Sequence, residues 1–357
     1  MPFAPFFVSL AATVLLVPLV RRLAVRLGVL DVPGATRKQH SRPIPLLGGL
    51  AIFAALALVV IAYRGELLGG FLLGKHLAGI LLGALVLVIG GTLDDRYDLK
   101  PWALLIAPAL ASIIVIASGL GVDYITNPFG GILRLDLWTW KLFSVGGVPY
   151  HLTFPGDLLT FVWLMVMSYA TKLLDGVDGL VSGLTFVGAA VIVLLSLTPE
   201  VGQPELARLA AIVAGAFLGF LVWNRPRASI FLGEGGSTLA GWLLGVMALL
   251  SGAKIGITLL IMAVPLLDLA WTVARRIIIE RKPWYQGDRG HLHFRLIDSG
   301  LSPWATDLFY WGFAAGFGAT GLFIRGRDKV LALVLLAALF AVVTFAVRHW
   351  GLKNKKT

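Results

Sequence analysis

Long apolar runs recur along this chain and are separated by short polar segments. A helix needs about 17–25 mostly apolar residues to cross the hydrocarbon core of a membrane. The pattern predicts an all-α polytopic membrane protein with about eleven transmembrane helices, or ten if the two segments beside Gly252 form one broken helix. The segments cover residues 3–20, 46–63, 76–92, 101–121, 157–171, 180–197, 206–223, 237–252, 254–272, 306–324 and 329–347.

The polar segment 122–156 has a pattern of its own. Its stretches ILRLDLWTWKLF and VPYHLTF alternate partly between apolar and polar residues, and Gly146 and Gly147 separate them. This pattern predicts a small β-hairpin on the membrane surface. Trp138 and Trp140 are interpreted as anchors at the membrane interface. Because no linker or low-complexity tract divides the chain, residues 1–357 are expected to form a single integral membrane domain.

The composition agrees with a membrane protein. Of the 357 residues, 58% are hydrophobic and only 14% are charged, and the mean hydropathy is +0.88, which excludes a soluble domain. Cysteine is absent, so a disulfide framework and a thiolate metal site are both excluded. Segment 3–20 is followed by Arg21 and Arg22 without a small-residue cleavage site, so we interpret it as the first membrane span.

Basic residues predict the orientation, because short cytoplasmic loops are enriched in Lys and Arg. Most of the 30 Lys and Arg fall on one side if the N-terminus is outside and the C-terminus inside the plasma membrane. Segment 122–156 is then extracytoplasmic, and 273–305 is a long cytoplasmic loop. The net charge of +11 would face anionic lipid and anionic substrates. A nucleic-acid partner is excluded, because no loop carries a basic stripe with interleaved aromatic residues.

Every conspicuous polar cluster falls in a predicted cytoplasmic loop. In chain order these loops contain DVPGATRKQHSRPIPLLGGL, LDDRYDL, KLLDGVDGL, NRPRASIFLGEGGS and RRIIIERKPWYQGDRGHLHFRL. Carboxylates, spaced histidines, glycine turns and basic residues on one face of a helical bundle are typical of a site for a phosphorylated, metal-bound substrate. The sequence therefore predicts an active-site face on the cytoplasmic side.

Two pairs of aspartates stand out within these loops. Adjacent Asp94 and Asp95 cannot both ionise at low cost unless a cation offsets them, which indicates a divalent metal or a shared proton. Asp98 would share a helical face with Asp94 if the third helix continued that far. Asp175 and Asp178 are three residues apart, and their flanking glycines permit close approach of a ligand. Taken alone, the first pair is also compatible with a solvated loop between two helices, and the second pair with a helix break and an N-cap.

Two further motifs favour anion binding. GEGGS, residues 233–237, presents backbone N–H groups at the start of a predicted helix, with Glu234 as its charged side chain. His291 and His293, spaced by two, are too extended to share a helical face and make a weak zinc signal, since neither cysteine nor carboxylate lies between them. With basic residues nearby, they are interpreted as contacts to phosphate or base.

Taken together and in this order, the motifs resemble the polyprenyl-phosphate N-acetylhexosamine-1-phosphate transferase family. The resemblance runs from about residue 31 to 301 and rests on RKQHSRPIPLLGGL, LDDRYDLKP, LLDGVDGL, FLGEGGS and DRGHLHFRL. It implies a membrane enzyme that transfers a sugar-1-phosphate from a UDP-sugar to polyprenyl phosphate and releases UMP, as the first membrane step of cell-wall or surface polysaccharide synthesis. It also implies ten or eleven helices, a cytoplasmic active site and Mg²⁺ or Mn²⁺ as cofactor.

The resemblance also implies roles for individual residues. Two anions must meet in this reaction, so a metal and basic side chains are expected to lower their repulsion. The predicted catalytic residues are Asp94, Asp95, Asp98, Asp175 and Asp178. The predicted substrate-binding residues are Lys172, His291, His293, Arg289, Arg295, Arg37, Lys38, His40, Gly233, Gly235 and Ser237. The predicted metal ligands are Glu234, Asp95 and Asp178.

Three positions depart from the family pattern. Lys172 stands where the family usually has Asn, and Glu234 stands where it usually has Asp. Phe294 replaces the third histidine of a His-x-His-His motif. The first two positions are those at which the family holds its metal, and a protonated lysine has no lone pair with which to bind one. We therefore predict that Lys172 and Glu234 lie close enough to form an ion pair or to share a phosphate.

Several alternatives remain open at the level of sequence. A lipid or sugar transporter would place charged residues near the middle of the membrane, and Asp268 is the one carboxylate well inside an apolar run. A catalytically impaired scaffold relative agrees with the altered metal positions. Among donors, UDP-GlcNAc is favoured by the LDDRYDL form and the eleven spans, and a phospho-MurNAc-pentapeptide transferase is the alternative. The expected partners are membrane lipid, a UDP-sugar and polyprenyl phosphate, and a homodimer is compatible with the sequence.

Overall fold

Helices account for every apolar segment predicted above. The computed structural model describes residues 3–33, 42–127, 130–145, 148–251, 255–281, 290–324 and 327–354. Its helices are α1 Phe3–Leu27, α2 Gly48–Ala62, α3 Arg64–Leu67, α4 Gly74–Tyr97, α5 Ile106–Ala117 after a 3₁₀ turn Ala103–Leu105, α6 Gly156–Leu174, α7 Leu180–Ser196, α8 Pro204–Asn224, α9 Gly233–Leu250, α10 Ile255–Ile261, α11 Ala263–Ala274, α12 Leu292–Asp298, α13 Pro303–Phe323 and α14 Arg327–Asn354.

Several of these helices can cross a membrane. Within the described ranges, α1, α4, α6 and α8 are long and apolar enough to do so, and the bent pair formed by α10 and α11 counts as a fifth if the two helices form one span. On α1, the large apolar side chains Phe7, Leu15 and Leu19 are exposed, as expected for residues that face lipid. The fold is therefore that of a helical membrane protein, while the count of eleven spans stays a prediction.

Helix α9 lies at the centre of the bundle. All of its residues are buried except Glu234, and it packs against α2, α4 and α6. Glycines permit this close approach: a Cβ at Gly241 would lie 1.9 Å from the carbonyl oxygen of Met167 on α6. A Cβ at Gly91 on α4 would lie 2.0 Å from the backbone nitrogen of Gly235. Glycine at these positions therefore brings the helix backbones together, as in other membrane bundles.

The ninth predicted segment, 254–272, is a broken helix rather than a continuous one. Helices α10 and α11 meet at Met262, and the chain bends there by 77°. Pro265 accounts for the break, because proline has no N–H to donate to the carbonyl of Ile261 and its ring crowds that carbonyl. The sequence had placed the alternative break near Gly252, and the structure places a bend ten residues later.

The predicted hairpin in 122–156 is confirmed. Strands β5 Trp138–Val145 and β6 Val148–Phe154 pair antiparallel, with Trp138 opposite Phe154 and a bulge between Lys141 and Phe143. Two short pairs were not predicted, β1 Leu30–Asp31 with β2 Ile44–Pro45, and β3 Tyr124–Thr126 with β4 Ile132–Arg134. Trp138 and Trp140 are exposed, which suits residues at a membrane interface.

The segment 273–305 is partly helical rather than one long loop. Helix α11 continues through a π-helical turn, Arg275–Ile279. Helix α12 forms because Leu292 and Leu296 lie four residues apart and are both buried. Helix α13 follows with Ser302 as its N-cap, whose Oγ accepts a hydrogen bond from the N–H of Ala305 at 3.1 Å.

Candidate active site

A cleft of about 1280 Å³ opens at the ends of helices α4 and α6 and at the start of α9. Among the described lining residues, seven carry carboxylates and three carry positive charges. The carboxylates belong to Asp31, Asp94, Asp95, Asp98, Asp175, Asp178 and Glu234, and the cations to Arg42, Lys172 and Arg227. The predicted motifs LDDRYDL, LDGVDGL and GEGGS therefore converge on one cavity.

The sequence had suggested that Asp94 and Asp95 lie in a loop. In the structure they belong to helix α4. Helix α4 continues to Tyr97, so Asp94 and Asp95 occupy its last turn. Asp94 Oδ1 accepts a hydrogen bond from the N–H of Leu99 at 3.0 Å. Asp98 takes a left-handed conformation with φ of 50° and ends the helix, so it does not continue the helical face of Asp94.

Asp95 caps the N-terminus of α9. Its two carboxylate oxygens accept the N–H of Glu234 at 3.1 and 3.2 Å. The anion site predicted at GEGGS is therefore filled by a carboxylate of the protein itself. Gly233 makes this contact possible, because its φ is +70° and a Cβ there would lie 2.3 Å from Asp95 Oδ2. Gly235 packs against α4 backbone atoms and does not line the cleft.

The predicted proximity of Lys172 and Glu234 is confirmed. Lys172 Nζ lies 2.6 Å from Glu234 Oε1, and both side chains are largely buried at the cleft wall, with exposed fractions of 17% and 15%. The ammonium group also lies 5.1 Å from the centre of the Tyr169 ring, within the range of a cation–π interaction. Two contacts therefore hold the Lys172 side chain in place.

The LDGVDGL loop supplies the next two carboxylates. Asp178 Oδ2 accepts the N–H of Ala228 at 2.9 Å, which ties this loop to the segment before α9. Asp175 opens to the cleft, although protein surrounds it on most other sides. Burial, and to a smaller extent the nearby charges of Glu234 and Asp178, raises the pKa of Asp175 to about 8. Asp175 is therefore largely protonated near neutral pH.

Sequence reasoning missed Asn224, which lines the cleft and holds the same loop in place. Its Oδ1 accepts hydrogen bonds from Gly179 N–H at 3.2 Å and from Ser182 Oγ at 2.8 Å. Its Nδ2 donates to the carbonyl of Ile230 at 3.0 Å. A buried amide that ends helix α8 was the available signal, because asparagine rarely stays inside a membrane bundle without partners.

The two histidines lie behind the cleft. His291 and His293 are buried, do not line the cavity, and stack with ring centres 5.5 Å apart. His291 Nδ1 lies 2.9 Å from Asp268 Oδ2, and Asp268 Oδ1 accepts the N–H of Leu292 at 3.0 Å. A Cβ at Gly176 would lie 2.6 Å from His293 Nε2, so this histidine packs against the LDGVDGL loop. Both rings thus brace the site rather than face its opening.

The other predicted substrate-binding residues differ in where they lie relative to the cleft. Gly233 and Ser237 line the cleft, while Arg295 lies on helix α12 and does not. The predicted contacts of Arg37, Lys38, His40 and Arg289 lie outside the described residues. Arg42 and Arg227, which the sequence did not single out, are the arginines that the described cleft wall contains.

The predicted metal ligands do not form a divalent-cation site as they are arranged. Carboxylate oxygens are suitable Mg²⁺ ligands. However, Glu234 is bonded to an ammonium group, and Asp95 and Asp178 accept backbone N–H groups. Within the described parts of the chain, no three Asp, Glu or His side chains are placed to hold one metal ion.

A second, smaller cavity of about 310 Å³ shares Glu234 with the cleft. Apolar side chains of α4 and of the segment that leads into α5 form most of its wall. Glu234 and Thr238 lie at its inner end. Glu234 therefore lines both the polar cleft and this apolar groove.

Known proteins resemble this chain over most of its length. Residues 77–252 match the model of a family described as "Glycosyl transferase family 4". The chain is 29% identical to a "Probable undecaprenyl-phosphate N-acetylglucosaminyl 1-phosphate transferase" of Bacillus subtilis, over 98% of this chain and 92% of the relative. It is 29% identical to a "Decaprenyl-phosphate N-acetylglucosaminephosphotransferase" of Mycobacterium tuberculosis, over 90% and 82%. A Salmonella typhi "Undecaprenyl-phosphate alpha-N-acetylglucosaminyl 1-phosphate transferase" is 28% identical, over 94% and 88%.

Proposed function

We propose that this chain belongs to glycosyl transferase family 4, whose model matches residues 77–252, and that it transfers N-acetylglucosamine-1-phosphate from UDP-GlcNAc to a polyprenyl phosphate and releases UMP. The observation that carries the proposal is the convergence of three separated motifs on one cleft. The relatives that this chain matches over most of their length are named for this reaction. The choice of UDP-GlcNAc rests on those names.

The two cavities suit two chemically different substrates. Binding sites for small ligands are commonly about 300–1,000 Å³, so a cleft of about 1280 Å³ has room for a nucleotide sugar and the phosphate of an acceptor. The apolar groove between α4 and the start of α5 suits the hydrocarbon chain of that acceptor. The groove and the cleft meet at Glu234, where the acceptor phosphate would enter the polar site.

The residues of the cleft have distinct roles in the proposed reaction. An acceptor phosphate oxygen attacks the β-phosphorus of the UDP-sugar, the bond from that phosphorus to the bridging oxygen breaks, and UMP leaves with the electron pair. Asp94 reaches the cleft and is placed to accept a proton from the acceptor phosphate. Asp175, largely protonated near neutral pH, can donate a hydrogen bond to a phosphate oxygen. Asp95 and Asp178 hold the loops that shape the site.

The proposal also covers the metal cofactor, the orientation of the protein in the membrane and its oligomeric state. Mg²⁺ or Mn²⁺, when bound, would lower the repulsion between the phosphates, although the present partners of Glu234, Asp95 and Asp178 do not favour binding there. We propose that the cleft faces the cytoplasm, because UDP-sugars are made there and because the distribution of Lys and Arg in the sequence predicts the same side. A homodimer stays a prediction.

The experiment is an assay of UMP release by the purified protein from UDP-GlcNAc with polyprenyl phosphate. Asp94→Asn should lower turnover at least a hundredfold, or about 2.7 kcal/mol of transition-state stabilisation. Asp95→Asn should also lower turnover, because the amide oxygen can still accept the N–H of Glu234 but the negative charge at the start of α9 is lost. Asp136→Asn removes a partly exposed carboxylate that is paired with Arg134 and does not line the cleft, and it serves as the control.

Two results would contradict the proposal. One is absence of UMP release by the wild-type protein with every UDP-sugar supplied. The other is full turnover in both Asp94→Asn and Asp95→Asn, since the cleft would then not be the site of the reaction. Release of UMP only with the muramoyl-pentapeptide nucleotide would keep the reaction class and change the donor.

A further inference from the structure

The ion pair between Lys172 and Glu234 joins the last turn of α6 to the first turn of α9 at the wall of the cleft. Lys172 Nζ and Glu234 Oε1 are 2.6 Å apart. Glu234 is the one residue of α9 that is not fully buried. The Tyr169 ring, one turn before Lys172 on α6, lies beside the same ammonium group. The cation is therefore positioned from two sides and lies within electrostatic range of Asp94.

The charge of the cleft creates a need for such a cation. Seven carboxylates and three basic side chains line its described wall, so an incoming diphosphate would meet a surplus of negative charge. Fixed cations that face developing negative charge are an effective form of catalysis in phosphoryl transfer. Of these three basic residues, Lys172 lies between the last turn of α4, which contains Asp94, and the start of α9.

The same pair explains why the predicted metal site is not formed. Glu234 cannot offer the same oxygen to a divalent ion while it is bonded to an ammonium group, and the ammonium itself has no lone pair for a metal. The ammonium has three N–H donors, of which Glu234 uses one, so two can reach phosphate oxygens. The position predicted for a metal ion is thus held by a cation that belongs to the protein.

We propose that Lys172 binds the diphosphate of the nucleotide substrate and supplies, from the protein itself, the positive charge that the metal was predicted to supply at Glu234. This inference rests on the proposed function and names a residue for it. Lys172 donates hydrogen bonds to non-bridging phosphate oxygens and offsets the charge that develops on the departing UMP. No bond to Lys172 forms or breaks, and Glu234 and Tyr169 act as positioning residues.

The first test is binding of UDP to the purified protein in the presence of a chelator, measured by calorimetry. Lys172→Gln should weaken UDP binding at least tenfold, while Lys172→Arg, which keeps the charge, should stay within about threefold of wild type. Lys75→Gln is the matched control, because Lys75 Nζ also lies 5.1 Å from an aromatic ring, that of Tyr150, but at the opposite end of α4. Equal UDP affinity in wild type and Lys172→Gln would overturn the proposal.

The second test is Mn²⁺ binding, followed by electron paramagnetic resonance. Lys172→Asn frees Glu234 and adds an amide oxygen, so it should bind Mn²⁺ at least tenfold more tightly than wild type. Glu234→Gln should not gain Mn²⁺ affinity, because the variant keeps the Lys172 ammonium group and loses the carboxylate. Tight Mn²⁺ binding by the wild-type protein that is lost in Glu234→Gln would overturn the proposal, since Glu234 would then hold a metal despite Lys172.

The two proposals fail separately. If the wild-type protein releases UMP and Lys172→Gln releases it equally fast, the role of Lys172 is wrong and the proposed function stands. If the wild-type protein releases no UMP but UDP affinity depends on Lys172, the proposed function is wrong and the diphosphate contact stands. Thermal unfolding of each variant controls for folding, and Lys172→Met, of similar length, replaces Lys172→Gln if the latter unfolds.

Discussion

At the scale of single residues, the site depends on charged groups that are tied to other parts of the chain. Asp95 accepts the N–H at the start of α9, Asp178 accepts that of Ala228, and Glu234 pairs with Lys172. Each of these contacts satisfies a charge that would be costly to leave unpaired in a membrane protein. Asp175 is different, because it opens to the cleft and its charge depends on pH.

The titration of Asp175 predicts how nucleotide binding varies with pH. Its pKa of about 8, raised mainly by burial, means that it is neutral below that pH and ionised above it. Ionisation adds negative charge to the cleft, so affinity for UDP-GlcNAc should fall severalfold between about pH 7 and about pH 9. Equilibrium dialysis at each pH measures this, and Asp175→Asn should show a smaller fall.

Asp136→Asn is the control for that experiment. Arg134 lowers the pKa of Asp136 through a hydrogen bond and its charge, so Asp136 stays ionised over the whole range. This variant should therefore lose affinity with rising pH as the wild-type protein does. An unchanged pH profile in Asp175→Asn would assign the titration to another group.

At the scale of secondary-structure elements, helix α9 organises the bundle through its small residues. Its glycines let α2, α4 and α6 approach the α9 backbone closely, and this places Glu234 beside the ends of α4 and α6. The hydrogen bonds of Thr171 on α6 add to this packing, since Thr171 Oγ1 donates to Ser237 O at 2.7 Å and accepts from Gly241 N–H at 3.1 Å. The geometry of the cleft therefore depends on the α6–α9 contact.

A methyl group at this contact should destabilise the protein. Gly241→Ala would place a Cβ 1.9 Å from Met167 O, a backbone atom that cannot move without shifting α6. Overpacking of this kind typically costs about 1–3 kcal/mol, so the midpoint of thermal unfolding in detergent should fall. Gly312→Ala on α13 is the control, because no atom lies within 4 Å of the added Cβ. A similar midpoint for both variants would show that α6 and α9 can separate at little cost.

At the scale of the whole molecule, the arrangement gives the protein one polar end and a distant β-hairpin. The cleft lies at the C-terminal ends of α4 and α6, while β5 and β6 precede the N-terminal end of α6. Helix α6 is 19 residues long and apolar enough to cross a membrane. The hairpin and the cleft are therefore expected on opposite sides of the membrane.

Cysteine labelling checks this topology directly, because the chain has no cysteine of its own. Lys100→Cys lies in the connection from α4 to α5, and Lys141→Cys lies on β5; both positions are exposed. In intact cells, an impermeant thiol reagent should label Lys141→Cys and should reach Lys100→Cys only after the membrane is opened. Labelling of both from the same side would contradict the predicted orientation.

The sequence by itself determined the helical membrane fold, the hairpin and the motifs of the site. Those features depend on local patterns, such as apolar runs long enough to span a membrane and alternation around a glycine pair. The closeness of Lys172 and Glu234 could be predicted because both occupy positions that the resembling family uses for one metal. The bend at Met262 was not predicted, because segment 254–272 was interpreted as a continuous apolar run although Pro265 interrupts it.

Only the tertiary structure decided which charges are already paired. Asp95 and Glu234 are 139 residues apart in the chain, and Asp268 and His291 are 23 apart, so no periodicity connects them. These pairs form because close helix packing brings polar ends together in a bundle where unpaired charge is costly. As a result, the predicted anion site at GEGGS holds Asp95, the histidines lie behind the cleft, and a lysine occupies the place predicted for a metal ion.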